Sequence, residues 1–550
     1  MNDCTVIIPS AKLVPESLQN LGRLPAVIYP VSQITAFDYL YEQYSGKASR
    51  IKVICCENAE EVIRKLSPYG SSVSIKILPE LKDLGYTVYE GLEGETGTVI
   101  INFADTIIAD NICSYDGDCF FYSEDYLSDT WTFFAMNDSG AFTKITDKKP
   151  PSGSFGREKL FAGVFRISAP QDFRRCLEDA FSNPDRETGS FYQALNDYSR
   201  AHPMKAIEAH DWFDIGHADK YFNSRLEVSA REFNHITIDR TRGILYKASD
   251  SKEKFIQEIK WYLKLPSYLE YTHPRIFSYS THYTKPYIAM EYYAYHTIHE
   301  LFLYGDLNLH QWRNILLRVR SVYDDLMRYT VRDSNIRSSL EDMYLTKKLE
   351  RLGMLRNSKD FSGFFSDSIT INGTKYISLE DICTALKQHI PEILYEIDSF
   401  SIIHGDLCFT NIMIDPNLSF IKLIDPRGSF GAYDIYGDPR YDLAKLLHSI
   451  EGRYDFIIKD LFTIDFDLNT SSVSYKISDS GQNFDLSELF MQVFSPDIKS
   501  VRLIEALLFL SMIPLHGESL KHHGESLKHQ LAMLGTGIEI LSRIIPITKE

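Results

Sequence analysis

Along the first two hundred residues the apolar positions fall into short runs separated by helical patterns. Thr5-Val6-Ile7-Ile8 reads as a strand stopped by Pro9-Ser10, and Ile51-Lys52-Val53-Ile54-Cys55 as a second. Pro25 to Val31 forms a loop and turn leading into an amphipathic helix, Ile34 to Tyr44, and Ala59 to Leu66 reads as another helix. Val73 to Leu78 and Thr98 to Phe103 supply two more strands. Val99 to Phe103 is largely apolar, the pattern of a strand covered on both faces. Strands alternating with helices predict βαβ units and a mostly parallel sheet, hence an α/β domain over residues 1–226.

The pattern changes near 225–230. Phe233 to Asp239 and Gly243 to Ala248 alternate as antiparallel strands do, Lys252 to Leu265 reads as a helix, and Pro286 to Glu291 as a further strand. From Leu307 to about Leu349 the period is helical, and the chain closes with helix-rich material after Asp442. This predicts an α+β second domain over 227–550, with a small β-rich lobe at about 227–295 and a large helical lobe at about 296–550. Near the end, His516-Gly517-Glu518-Ser519-Leu520-Lys521-His522 is repeated at once as His523 to His529. Seven residues are close to two helical turns, so such an insertion shifts facing by only ~20° and is tolerated.

Composition narrows the function classes. With 550 residues, 44% hydrophobic and 24% charged, the chain has ordinary globular balance and more than one core. Its net charge of −17 excludes a generic polyanion-binding surface, so a phosphate site must be a local concentration of positive groups. Met1-Asn2-Asp3-Cys4 carries neither the basic nor the apolar part of a secretory signal. The stretch Leu503 to Leu515 contains Glu505 and is too short to cross ~30 Å of hydrocarbon. Eight cysteines without a C-x-x-C, two of them the adjacent Cys55 and Cys56, predict reduced thiols rather than a disulfide framework. The expectation is a cytoplasmic enzyme acting on small molecules, with neither nucleic acid nor membrane as partner. Oligomeric state is left open.

The strongest chemical signal is Ile402-Ile403-His404-Gly405-Asp406-Leu407-Cys408-Phe409-Thr410-Asn411, followed by Ile421-Lys422-Leu423-Ile424-Asp425. Two short β-type runs, Asn411 to Ile414 and Ile421 to Ile424, predict a hairpin that sets Asn411 beside Asp425. Phosphoryl transfer needs an in-line hydroxyl, a base for its proton and cations between the β- and γ-phosphates. Asp406 suits the base, and Asn411 and Asp425 suit Mg2+ as hard oxygen ligands. The block H-G-D-x-x-x-x-N with the later I-D closely resembles the aminoglycoside phosphotransferase and choline kinase branch of the protein-kinase-like fold, over about residues 228–550. That resemblance implies ATP as co-substrate and a small-lobe lysine on the α/β-phosphates held by a glutamate. Lys247 on its strand matches the lysine, and Glu258 in the next helix, with Glu253 as the alternative, matches the glutamate. The strand Tyr287 to Glu291 resembles the hinge whose backbone meets the adenine edge, and Asp442 sits where the family has a structural aspartate. Thr241-Arg242-Gly243 has a single glycine in place of a full glycine-rich loop.

The first half carries a second constellation. Asp105 ends a buried strand, where ligands of open α/β sheets gather. Asp214, within Asp211-Trp212-Phe213-Asp214-Ile215-Gly216, is expected to open a helix. Two converging carboxylates can hold one Mg2+ that bridges a nucleotide phosphate and an attacking phosphomonoester. With Leu24-Pro25-Ala26-Val27-Ile28-Tyr29-Pro30-Val31, Lys148-Lys149-Pro150 and Ala162-Gly163-Val164-Phe165, these residues resemble the sugar-phosphate nucleotidyltransferase family over about residues 3–226. Two departures stand out. The family's glycine-rich loop is replaced by Pro9-Ser10-Ala11-Lys12, and its L-P-K lysine is Ala26. Either Lys12 or Arg23 stands in, or the domain binds ligand or scaffolds without transferring nucleotide.

Together the resemblances imply a bifunctional enzyme. It would phosphorylate a small alcohol (a sugar, polyol or amino-alcohol) with ATP and join the phosphate to a nucleotide from CTP or another NTP, for surface polysaccharide or lipopolysaccharide synthesis. The alternatives are a kinase with a degenerate first domain, an antibiotic phosphotransferase and a non-catalytic binding protein.

Overall fold

The computed structural model describes residues 4–31, 34–126, 129–148, 157–183, 188–217, 220–221, 236–239, 241–478, 484–519 and 523–549, with backbone alone for 516–519 and 523–526. The chain divides into two compact units, Met1–Glu232 with Tyr304–Asp306, and Phe233–Leu303 with Leu307–Glu550.

In the first unit β1 (Cys4–Ser10), β2 (Arg50–Cys55), β3 (Val73–Ile77) and β4 (Thr98–Asn102) pair in parallel in the order β3-β2-β1-β4. Val6 lies opposite Ile51 on one side and Ile100 on the other. Helices α1 (Ala36–Tyr44), α2 (Ala59–Leu66) and α3 (Leu84–Gly91) make the connections. The first of them starts two residues later than its apolar period predicts. Thr35 and Asp38 form a reciprocal capping box there, and Ile34-Thr35 pair with Pro30-Val31 instead.

Beyond β4 the pairing turns antiparallel, and the alternation did not announce this. β5 (Thr106–Ile107) leaves the sheet; β6 (Cys119–Tyr126), β7 (Thr132–Met136), β8 (Phe142–Asp147) and β9 (Arg157–Ile167) extend it. β9 runs antiparallel to β4, β6 and β7. Helices α4 (Pro170–Ser182) and α5 (Ser190–Ala201) contribute Phe173 and Phe191 to a core shared with Phe120, Phe134, Phe161 and Phe165. β10 (Lys205–Glu208) returns parallel to β6, and β11 (Phe213–Asp214) pairs with β5, Asp214 opposite Thr106.

The second unit opens with β12 (Ile236–Asp239), β13 (Ile244–Lys247), β14 (Ile276–Ser280) and β15 (Tyr287–Glu291) in the antiparallel order β12-β13-β15-β14. Helix α6 (Lys252–Lys264) follows β13. Residues 233–235, the start of the first predicted strand, lie outside the described residues.

The helical period expected from Leu307 to Leu349 is broken. α7 (Leu309–Met327) ends before β16 (Thr330–Val331), and the helical run resumes towards α8 (Lys347–Leu355). After α9 (Leu379–Leu394), β17 (Phe400–Ile402) pairs with β16, and β18 (Ile412–Ile414) with β19 (Ile421–Leu423). α10 (Pro439–Ile450) is followed by a hairpin, β20 (Phe462–Asp467) and β21 (Ser472–Ile477), inside the stretch expected to be helix-rich. Its first strand alternates between half-buried and exposed positions, a period-2 signal in the sequence itself. α11 (Ile498–Ser519) and α12 (His523–Ser542) pack together and close the chain. Part of the tandem repeat, 520–522, is outside the described residues; its last residue, His529, is buried against Phe462. Among the described residues no helix is long and apolar enough to cross a membrane.

Candidate active sites

In the second unit the β18–β19 hairpin sets Ile412 opposite Leu423, and the Ile424 N–H donates to the Asn411 carbonyl at 3.0 Å. Asn411 and Asp425 are thereby brought together. The Asn411 amide donates to the Asp406 carbonyl at 2.9 Å and to its carboxylate at 3.1 Å, while its Oδ1 accepts a long bond from the Thr410 hydroxyl at 3.4 Å. His404 is buried and held neutral first by burial, so its Nε2–H donates to the Ile424 carbonyl at 2.9 Å. The indole of Trp261 donates to Ile403 O at 2.7 Å, and Asp442 accepts from the backbone N–H groups of His404 and Gly405 at 2.7 and 2.8 Å. Burial pushes Asp442 up to about 7 against those two donors. Gly405 has φ +76°, and a Cβ there would lie 2.9 Å from the Arg427 Cβ, so glycine is required on two counts.

Lys247, the last residue of β13, donates from Nζ to Glu258 at 2.8 Å and to Asp425 at 2.7 Å. Burial pulls this lysine down, but Asp425 and Glu258 outweigh it and hold the ammonium charged. Glu258 is raised by burial, with Asp425 adding to the effect and Lys247 opposing it. The approach of α6 to Asp425 depends on Gly428, whose Cβ would stand 2.3 Å from the Gln257 carbonyl. Asp425 itself lies in the left-handed region at φ 55°, and its N–H donates to the Tyr262 hydroxyl at 3.1 Å. Glu291 ends β15; its N–H is committed to Arg275 O at 2.7 Å, and its carboxylate accepts from the Tyr293 hydroxyl at 2.8 Å.

One residue of this site escaped the sequence reading. Lys445 on α10 donates to Asp406 Oδ1 at 2.8 Å. Burial would raise Asp406, yet Lys445 outweighs it and holds the carboxylate below its ordinary range, with His404 and Arg427 adding to the effect. Lys445 lies three residues after Asp442, on the same helical face, and that spacing was the available signal.

The first unit holds a cavity of about 450 Å³. The loop after β1, the start of α3, Asp105, Lys148, Ser190 and His217 are among its walls. Asp105 and Asp214 meet through the β5–β11 pairing, with Ile215 N–H donating to Asp105 O at 2.9 Å. Gly216 permits the closeness, because a Cβ there would meet the Asp105 carboxylate at 2.3 Å. Asp214 does not open a helix as expected. It sits on β11, buried, and accepts from Gly216 N–H at 3.1 Å and from His217 Nδ1 at 2.9 Å. Burial, and then the charge of Asp214, push Asp105 up to about 6. Two carboxylates that repel one another in this way could share a divalent cation. Lys149 and Pro150 lie outside the described residues.

Several N–H groups of the loop after β1 are already taken up within the first unit. Leu13 N–H donates to Glu57 Oε2 at 3.2 Å, Val14 N–H to Leu24 O at 2.9 Å, and Val27 N–H to Ser10 Oγ at 3.1 Å. A triphosphate cradle needs such groups turned towards the ligand. Lys12 and Ala26 line the cavity; Arg23 is not part of its wall.

No family model matches the chain, and no curated protein does. Among solved structures, the CTP:phosphocholine cytidylyltransferase of Streptococcus pneumoniae overlaps 41% of this chain and 99% of its own at 15% identity, with a TM-score of 0.35. The inositol-1-phosphate CTP transferase of T. maritima covers 42% of this chain and 97% of its own at 14% identity and a TM-score of 0.32. A nucleoside-diphosphate-sugar pyrophosphorylase of Vibrio cholerae covers 40% and 99% at 16% identity and a TM-score of 0.32.

Proposed function

We propose that the second unit transfers the γ-phosphoryl group of ATP to a small alcohol, and that the first unit couples the resulting phosphomonoester to a nucleotide, supplying a precursor for surface polysaccharide. The observation that carries the first half is the Lys247 ammonium held between Glu258 and Asp425 while Asp406 holds Asn411. In this reading Asp406 orients the acceptor hydroxyl and takes its proton. Lys247 exchanges a carboxylate for the α/β-phosphates when nucleotide enters. The Asn411 Oδ1 and the Asp425 carboxylate are hard oxygen donors that fit Mg2+, which supplies neutralisation of the phosphate charge. The test is ADP release by the full chain with ATP, Mg2+ and a panel of alcohols. Turnover is expected with at least one alcohol, and Asp406→Asn is expected to lower its kcat by about 10²–10⁴-fold. No ADP release with any alcohol would overturn the reading.

For the first unit a second reading has its own support. Ala26 and the inward-committed N–H groups of Leu13 and Val14 favour a ligand-binding domain that no longer transfers nucleotide. Pyrophosphate release from CTP and the other NTPs, with the kinase product as acceptor, separates the two readings.

A further inference from the structure

The chain is acidic overall, yet the surroundings of Asp406 are cationic. Lys445 Nζ stands 2.8 Å from Asp406 Oδ1. One turn earlier on α10, the Tyr441 hydroxyl accepts from Arg427 Nη1 at 2.9 Å. The guanidinium and the ammonium therefore approach the same face of α10 about one turn apart. Arg427 also packs directly on Gly405, the neighbour of Asp406. Lys348 on α8 is buried, and its Nζ donates to Ser511 Oγ at 3.0 Å. It is pulled well below the ordinary lysine range first by burial and then by Arg427, Arg351, Lys445 and Lys347. Of these cations, Lys347 pairs with Asp342 and Lys445 with Asp406. Among the described residues no carboxylate forms an ion pair with Arg427 or Arg351.

A half-buried guanidinium with no ion-pair partner favours an anion, because a charge drawn out of water needs a partner. The groups assigned to the nucleotide, Lys247, Glu258 and Asp425, come from β13, α6 and the end of β19. Lys445 comes from α10 and stands against the base that must meet the acceptor.

We propose that the acceptor alcohol carries a fixed anionic group, a carboxylate or a phosphate ester, bound by Arg427 and Lys445 while its hydroxyl faces Asp406. This rests on the phosphotransferase reading and narrows its substrate class, excluding quaternary amino-alcohols and polycationic drugs. In the step itself the hydroxyl oxygen forms a bond to the γ-phosphorus of ATP. The bond from that phosphorus to the β–γ bridging oxygen breaks, the electron pair leaves with ADP, and the hydroxyl proton passes to Asp406.

The experiment measures ADP release by the full chain with ATP, Mg2+ and four acceptor sets: neutral sugars and polyols, sugar and polyol acids, sugar and polyol phosphates, and amino-alcohols including choline. An anionic acceptor is expected to exceed its neutral counterpart in kcat/KM by about 10- to 100-fold, the effect of one charge-assisted hydrogen bond. Which anionic set turns over tells carboxylate from phosphate. Arg427→Gln is expected to raise KM for the anionic acceptor about 10-fold or more and to erase its advantage over the neutral one, with Arg427→Lys restoring part of it. Faster turnover of neutral or cationic alcohols by the unmodified chain would overturn the anionic acceptor and leave the phosphotransferase standing. Absence of turnover with all four sets would remove both.

Discussion

Asp406 carries its charge because Lys445 is beside it; burial alone would favour the protonated acid. A base whose pKa is depressed stays competent as pH falls below the ordinary carboxylate range, and removing the lysine lets burial raise it. Lys445→Met should therefore move the acid limb of the kcat/KM profile to higher pH, with a larger loss of rate at pH 5 than at pH 8. An unmoved limb would show that Lys445 does not set the charge of Asp406. Asp442 gives a second residue-scale prediction. Its two carboxylate oxygens accept two backbone N–H groups, and an amide side chain offers one acceptor and turns an N–H toward the other donor. Asp442→Asn should destabilise the second unit by about 1–3 kcal/mol in chemical denaturation followed by tryptophan fluorescence. The aspartate pair of the first unit and the H-G-D-x-x-x-x-N block were both legible as motifs. Lys445 was not singled out, because it belongs to neither.

At the scale of elements, the position of α6 decides whether Lys247 has its glutamate. Gly428 lets the strand-end loop lie against the backbone of that helix at Gln257. Gly428→Ala would drive a methyl group into the Gln257 carbonyl and push Glu258 away from Lys247. The expected result is a fall in kcat of about 10-fold or more with helix content by circular dichroism retained, comparable to other displaced positioning groups. Unchanged kcat would mean that the helix tolerates the shift. Elements also mark where pattern reading stopped. The parallel strands β1 to β4 were visible because apolar runs alternate with helices, whereas the antiparallel partners of β9, namely β4, β6 and β7, are not marked by any local period. β20 and β21 had a period-2 pattern that the surrounding helical segments obscured. β11 holds Asp214 through pairing with β5, a partner more than a hundred residues earlier in the chain.

At the scale of the molecule, each compact unit has its own constellation, Asp105 and Asp214 in one and Lys247, Glu258, Asp406, Asn411 and Asp425 in the other. If the centres act independently, Asp105→Asn should abolish pyrophosphate release and leave ADP release within about twofold, while Asp406→Asn should do the reverse when the phosphomonoester is supplied. Both activities are read on the same full-length protein. Loss of both from either substitution would show that the centres depend on one another.

The order of strands and helices in the first parallel layer, and the spacing of Asp406, Asn411 and Asp425, are matters of local chain geometry. A period of two or of 3.6 and a short hairpin act over a few residues, so they can be read directly from sequence. The Lys445 contact, the convergence of Asp105 with Asp214, the committed N–H groups after β1 and the unpaired cations around Lys348 were decided by tertiary structure. Each depends on groups distant along the chain reaching hydrogen-bonding or electrostatic range, and those interactions change steeply with separations that only packing of the whole unit sets.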